Sequence, residues 1–283
     1  MTRSSCNFLA LTVNALCPVR RMRGGAQSYL LTCDDCASYV TKFRDNPQHR
    51  RILVNEWLGS AILEHLEITS PAVRMVRITL EFLKTYPDVD IQLRSRVAHV
   101  TPGLHFGSRY IGSQRKPMIF DFLPDSMLGK VKNLNEFLGV LAFDKWVGNV
   151  DGRQSVFTRS RQDRPDCPSV PRRTTFIVHM IDNGFIFGGP EWSIRDSPLQ
   201  GLYFRPEVYR TVSSMRDFAP WLDRIASFSE EVLRQARDQI PSDWLESDEP
   251  ALDQLLCRLL ARRRRVPDLV LACRQAGIFP RWL

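Results

Sequence analysis

A chain of 283 residues, 43% hydrophobic and 25% charged, is long enough for one large domain or two modest lobes and has the composition of a packed globule. This excludes extended disorder and collagen-like repetition, and no apolar run approaches the roughly 20 residues of a membrane helix. The net charge of +8, from 39 Lys and Arg against 31 Asp and Glu, points to an anionic ligand: nucleotide, nucleic acid or acidic protein. The most apolar early stretch, residues 8–16, is short, carries Asn14 and lacks a small-residue cleavage site after it, so a soluble cytoplasmic protein is expected. Seven scattered cysteines, an odd number, suit a reducing compartment.

In chain order, residues 7–16, 26–32 and 38–43 alternate in the manner of strands, with a Gly-Gly turn before the second. Cys33 and Cys36 enclose Asp34 and Asp35. With no second pair to complete a zinc ribbon, they read as a hairpin tip. Asn46-Pro47 breaks the chain. In 50–65, Ile52, Leu53, Trp57, Leu58, Ile62 and Leu63 recur at helical spacing and predict an amphipathic helix, followed by a strand at 72–78. The stretch 81–115, with Pro87, Pro102 and several glycines, reads as a long insertion with short elements.

A strand at 118–123 stops at Pro124, a strong helix covers 133–145, and a loop at 148–154 precedes a short strand at 155–158. The Arg- and Pro-rich span 159–173 reads as a surface loop, and 174–181 as a buried strand. Beyond 218 the chain is helical, with breaks at Pro241 and Pro267, and the run Arg262 to Arg265 reads as a solvated helix face. The order predicts an α+β fold of two lobes: an antiparallel sheet with one helix, then a mostly helical half.

Four segments fall in the order that a nucleotide-dependent phosphotransferase needs. The turn Met22 to Ser28 holds Gly24 and Gly25, where backbone N–H groups can approach phosphate oxygens. Lys42 lies in a β-prone run with Glu56 in the next helix, and a strand lysine paired with a helix glutamate is how protein kinases hold the α- and β-phosphates. The loop Gly148 to Gln154 is dense in groups that bind Mg²⁺ or accept a proton, and Asp182 ends an apolar strand. Each has a plain alternative: a hairpin turn, an edge lysine, an Asn/Asp/Gly turn, a capping aspartate. His105 in its Gly/Ser context reads as a loop histidine bonded to backbone, and Trp192, Tyr203 and Tyr209 as packing aromatics.

Within RRMRGGAQSYL, YVTKFRDNPQHRRILVNEWL, GLHFGSRY, FDKWVGNVDGRQSVF, HMIDNGFIFGGPEW and DSPLQGLYFRPEVY, these segments resemble the HipA-like kinases, bacterial relatives of the protein-kinase and phosphoinositide-kinase superfamily. The resemblance runs from about Pro18 to Tyr209. It implies a bilobal protein-kinase-like fold, with an N-lobe over 1–124 carrying an insertion at 81–117, and a helical C-lobe over 125–283 with its catalytic loop at 148–154 and metal-binding strand end at 181–184. ATP would lie between the lobes. Gly24 and Gly25 would roof the phosphates, with Gln27 and Ser28 in the same turn. Lys42 would hold the phosphates and Glu56 would orient Lys42. The strand 119–123, with Phe120 and Phe122, would be the linker against adenine.

By the same resemblance Asp151 would be the catalytic base or substrate-orienting carboxylate, Asp182 the Mg²⁺ ligand, and Gln154, three residues after Asp151, a second metal ligand. The implied activity is transfer of the γ-phosphate of ATP, with Mg²⁺, to a protein Ser or Thr. A nucleotide- or partner-binding pseudokinase and an AMP transferase stay open. Neither a membrane nor nucleic acid is expected as a direct partner.

Overall fold

In the computed structural model residues 12–93, 96–112, 119–161 and 174–282 are described. Strand β1 (Thr12–Arg21) runs through Pro18 and into the arginines beyond it. It continues past the predicted end at Leu16 because bulges between Ala15 and Cys17 and between Pro18 and Arg20 absorb a residue that cannot donate to a ladder. The start of the predicted strand, 7–11, lies outside the described residues. Strands β2 (Tyr29–Cys33) and β3 (Ser38–Lys42) form a hairpin whose tip holds the cysteine pair, with Cys33 N–H donating to Ala37 O at 2.9 Å.

After the hairpin come α1 (Arg51–His65), β4 (Val73–Ile78), α2 (Leu80–Thr85), β5 (Asp90–Gln92), β6 (Val97–His99) and β7 (Gly103–Arg109). The large sheet has the order β1-β2-β3-β7-β4 and is antiparallel except at one seam. There Thr12 to Asn14 pair in parallel with Met75 to Arg77 and close the sheet into a barrel. Tyr29, Leu31, Tyr39, Phe43, Val76 and Ile78 fill its interior. The segment expected as an insertion supplies β7, which pairs β3 on one side and β4 on the other. Its sequence, GLHFGSR, hides a central strand because its buried positions include a histidine and a glycine rather than an apolar alternation. A Cβ on Gly107 would lie 2.5 Å from Val76 Cγ2, so the adjacent strand β4 leaves no room there for a side chain.

Beyond β7 come β8 (Ile119–Phe120), α3 (Asp125–Leu128), α4 (Glu136–Val147), β9 (Gln154–Arg161) and β10 (Thr174–Ile181). Helices α5 (Ala219–Ala226), α6 (Glu230–Asp238), α7 (Ser242–Leu245), α8 (Glu249–Arg262) and α9 (Val266–Gln275) follow. Strands β10, β9 and β8 form a second antiparallel sheet in that order. The surface loop expected at 159–173 begins later than predicted, since β9 extends to Arg161; residues 162–173 lie outside the described chain, as does Met118.

Helix α1 is not amphipathic in its setting: every residue from Ile52 to Leu63 is buried, Asn55, Glu56 and Ser60 included. The helical tail covers the face that would otherwise meet water. Trp57 donates its indole N–H to Ala236 O at 3.0 Å and meets Trp244 edge-on, and Trp244 donates to Leu104 O of β7 at 2.8 Å. The arginine run is likewise only partly solvated. Arg262 donates to the Trp146 and Lys145 carbonyls at 3.0 and 3.1 Å, and Arg263 donates to Leu260 O at 2.8 Å. Carbonyls in the last turn of α4 lack helical donors, and Arg262 supplies them. Among the described residues no helix is long and apolar enough to cross a membrane.

Candidate active site

Lys42 ends β3 and points between the lobes. Its ammonium pairs with Glu56 of α1 and lies 3.0 Å from Asp182 Oδ1, at the end of β10. Thus one cation from the barrel meets a carboxylate from α1 and another from the helical lobe. Burial pulls the Lys42 ammonium down, but the two carboxylates outweigh it and hold its pKa above the ordinary lysine value. Burial, reinforced by the like charge on Asp182, lifts Glu56 despite Lys42. Asp182 goes the other way: burial raises it, but Lys42 and Arg153 prevail and keep it ionised. Its side chain is 31% exposed against 4% for Glu56, so Asp182 is the carboxylate of the pair that a ligand can reach.

Two glycines bring α1 this close. A Cβ on Gly59 would sit 2.7 Å from Asn183 Cβ, and one on Gly184 would sit 2.8 Å from Ile52 Cγ2. The contact completes itself through backbone: Asn183 N–H donates to Glu56 Oε2 at 3.0 Å. Asp182 itself stands at φ 62°, in the left-handed region.

Asp151 lies on an exposed loop between α4 and β9. Gly152 N–H donates to its Oδ1 at 2.8 Å, and its own N–H donates to Asn149 Oδ1 at 3.1 Å. Asp144, buried in the apolar helix α4, supports that loop. It accepts from Asn149 Nδ2 and from Arg153 Nε, both at 2.9 Å, and the Asp144–Arg153 pair is sealed from solvent at 0% exposure on both sides. Gly201 N–H donates to Asp151 O and Arg153 N–H to Leu202 O, so 201–202 runs beside the loop. Gln154 opens β9 opposite Ile181, the last residue of β10 before Asp182.

Asn55, one residue before Glu56, was not a predicted site residue. Its side-chain amide donates to Gly184 O, Ile186 O and Gly189 O at 2.7, 3.1 and 3.2 Å, and accepts from the Trp192 indole at 2.8 Å. Arg51 stacks on Trp192, donates to Pro190 O and forks onto Asp248 of the tail. The chain after Asp182 is therefore pinned between α1 and α8.

The other predicted residues take no part in the Lys42–Glu56–Asp182 ion pairs. Gly24 (φ 120°), Gly25, Gln27 and Ser28 make the turn between β1 and β2. There the Gln27 side chain exchanges two hydrogen bonds with the backbone of Gln92, at 2.6 and 2.7 Å, and so ties the turn to the β5–β6 hairpin. Ser28 is buried. The strand expected over 119–123 is only Ile119–Phe120: Phe120 ends the edge strand β8, edge-on to Phe176, and Phe122 lies beyond it with the Arg205 guanidinium stacked on its ring. His105 is a buried core histidine: it accepts from Arg44 N–H at Nδ1, stands 3.1 Å from Thr101 O at Nε2 and packs on Phe43. Trp192, Tyr203 and Tyr209 are buried packing residues.

A sequence profile described as HipA-like kinase matches residues 18–160, half of the chain, from the last residues of β1 through Lys42, Glu56 and Asp151. The chain belongs to the HipA-like kinase family. The match stops in β9, so the place of Asp182 in this HipA-like kinase rests on its contact with Lys42. No curated protein sequence matches significantly. Among solved structures, the Golgi casein kinase with Mn/ADP bound aligns with a TM-score of 0.41 at 12% identity over 96% of this chain and 75% of its own. A second Golgi casein kinase structure aligns at 0.44 and 11% identity, over 94% and 72%.

Proposed function

We propose that this HipA-like kinase transfers the γ-phosphoryl group of ATP, bound with Mg²⁺, to a Ser or Thr hydroxyl of a protein. The observation that carries the reading is the Lys42–Glu56–Asp182 cluster, which joins both lobes through one ammonium and leaves a single carboxylate reachable. In this reading Lys42 holds the α- and β-phosphates, and Glu56 keeps Lys42 from swinging away.

The donors near the strand end suit Mg²⁺. Asp182 offers a carboxylate and Gln154 an amide oxygen, both hard ligands. Among the described residues no three His, Cys, Asp or Glu gather into a cage, and Mg²⁺ on a nucleotide is held by one or two carboxylates together with the phosphates. Asp182 and Gln154 would hold the metal, which would supply neutralisation of phosphate charge. Asp151 orients the acceptor hydroxyl in line and takes its proton as the new O–P bond forms and ADP departs with the electrons of the broken one.

Calorimetric titration of Mg·ATP into the wild type and Lys42→Ala tests the reading. Binding that needs Mg²⁺ and weakens in the variant is expected. A wild type that takes up no nucleotide at millimolar ATP overturns the proposal and leaves a partner-binding scaffold.

A further inference from the structure

Arg153 is neither the proposed base nor a metal ligand, yet it is wholly buried and divides its donors between the elements that carry both. Nε and Nη2 fork onto Asp144 of α4, while Nη1 donates to Ile181 O at 2.8 Å, to Asn183 Oδ1 at 3.0 Å and to Asp182 O at 3.3 Å. The two carbonyls are those of the peptide groups on either side of the Asp182 Cα, so they report its φ and ψ directly. Asp182 holds φ at 62°, a left-handed conformation that a non-glycine residue keeps only when its surroundings impose it. Arg153 grips both ends of that strained unit. It also follows Asp151 by two residues in a loop whose far side rests on the same Asp144 through Asn149.

A wholly buried guanidinium has to place every N–H on an acceptor, so the presence of further partners beyond Asp144 is expected of any buried pair. What is particular here is their identity: all the Nη1 acceptors belong to residues 181–183, the two carbonyls flanking Asp182 and the side chain that follows it. We infer that Arg153 is a positioning residue that sets the Asp182 carboxylate against Asp151, with Asn183 as the joint that carries the same constraint to Glu56. Asn183 receives Arg153 on its side chain and donates to Glu56 from its backbone. The inference rests on the kinase reading above, since it concerns how well that site presents its metal-facing carboxylate.

Two variants test it. Arg153→Lys keeps a positive charge beside Asp144, but one ammonium cannot span the fork and the three acceptors. Asn183→Ala removes only the side-chain joint and leaves the N–H bond to Glu56. Each is titrated with Mg·ATP and with ATP in EDTA, and the half-saturating Mg²⁺ concentration is measured at fixed ATP. Arg153→Lys is expected to weaken Mg·ATP binding about 10- to 100-fold, the loss typical of a charge-assisted hydrogen bond, with metal-free ATP binding within about 2-fold. Half-saturating Mg²⁺ rises by the same factor. Asn183→Ala shifts in the same direction by about 3- to 10-fold.

Wild-type Mg²⁺ dependence in both variants overturns the inference, and so does an equal loss of Mg·ATP and metal-free ATP binding, which marks a collapsed cleft. If Arg153→Lys does not fold, Asn183→Ala decides alone, and an unchanged Mg²⁺ midpoint there refutes the proposal. A wild type without nucleotide binding fails the kinase reading itself and is seen before either variant is made.

Discussion

Lys42 and Lys145 are both largely buried, and both lie in segments that the sequence singles out, yet their surroundings differ in kind. Lys42 faces two carboxylates contributed by different lobes. Lys145 faces dipoles: it donates to the carbonyls of Ser197 and Pro198 at 3.0 Å and to that of Gln200. Burial lowers both; only at Lys42 do the neighbouring charges reverse the shift, whereas at Lys145 Cys273 and Asp144 only partly offset it. Formal counter-charges can be shared with an incoming phosphate, because each ion pair that loosens is replaced by another. Backbone carbonyls cannot be traded in this way, and Lys145 serves as a peg for the loop that runs beside Asp151.

The comparison breaks most visibly if chemistry does not follow the Lys42 side. Asp151→Asn is expected to reduce phosphoryl transfer by about 10²- to 10⁴-fold while Mg·ATP affinity holds, since it removes a proton acceptor rather than a phosphate contact. Single-turnover transfer beside calorimetry checks both halves. Loss of nucleotide binding in that variant makes Asp151 a ligand or a prop instead.

A third buried basic group sharpens the contrast by carrying no charge at all. Burial pushes His105 down from 6.5 to about 4, outweighing Asp45. The unfolded chain therefore binds this proton more tightly than the folded one between those values. The contribution is complete above pH 6.5 and is lost as pH falls to about 4, a span worth about 3 kcal/mol. Urea unfolding across that range should show the fall, and His105→Gln should flatten part of it. His49, His65 and His179 are lowered too and contribute with the same sign. A variant slope equal to that of the wild type removes His105 from the acid response.

Lys42→Ala should weaken Mg·ATP binding by about 10- to 100-fold, the loss of a charge-assisted contact. Lys145→Met is the smallest expected effect and the mirror image. It leaves three carbonyls without their donor, costs about 1–2 kcal/mol in urea unfolding, and changes Mg·ATP affinity by no more than about 2-fold. If instead Lys145→Met impairs binding as much as Lys42→Ala, the division between a charge-exchanging and a loop-pegging lysine is false.

The residues whose chemistry is local were legible before any coordinates. A lysine in a β-prone run, a glutamate one element later and an aspartate closing an apolar strand are patterns of composition and spacing, and the fold brings those three together. Asn55 and Arg153 were missed because their partners lie beyond the reach of local pattern: the Asn55 side chain bonds residues 129 to 137 positions away, and the Arg153 guanidinium residues up to 30 positions away. One signal could have found part of this. Asp144 interrupts the apolar run of α4, and a carboxylate placed there needs a buried cation. Strand β7 was hidden for a related reason: its buried face includes His105 and Gly107, tolerated only because Phe43, Thr101 and Val76 complete their surroundings.

The sequence by itself determined the order of most elements outside the stretch 81–115, the two-lobed division into sheet and helices, and the identity of the charged residues set at strand and helix ends, because these follow from short-range periodicity and turn chemistry. Only the tertiary structure decided that the sheet closes through a parallel seam, that α1 is buried on every side with the helical tail over its outer face, and that Asp182 stands in a left-handed conformation with an arginine from the neighbouring loop on the carbonyls beside it. Each of these depends on contacts between segments far apart in the chain, and burial energies that large are set by which surfaces meet rather than by any residue's own preference.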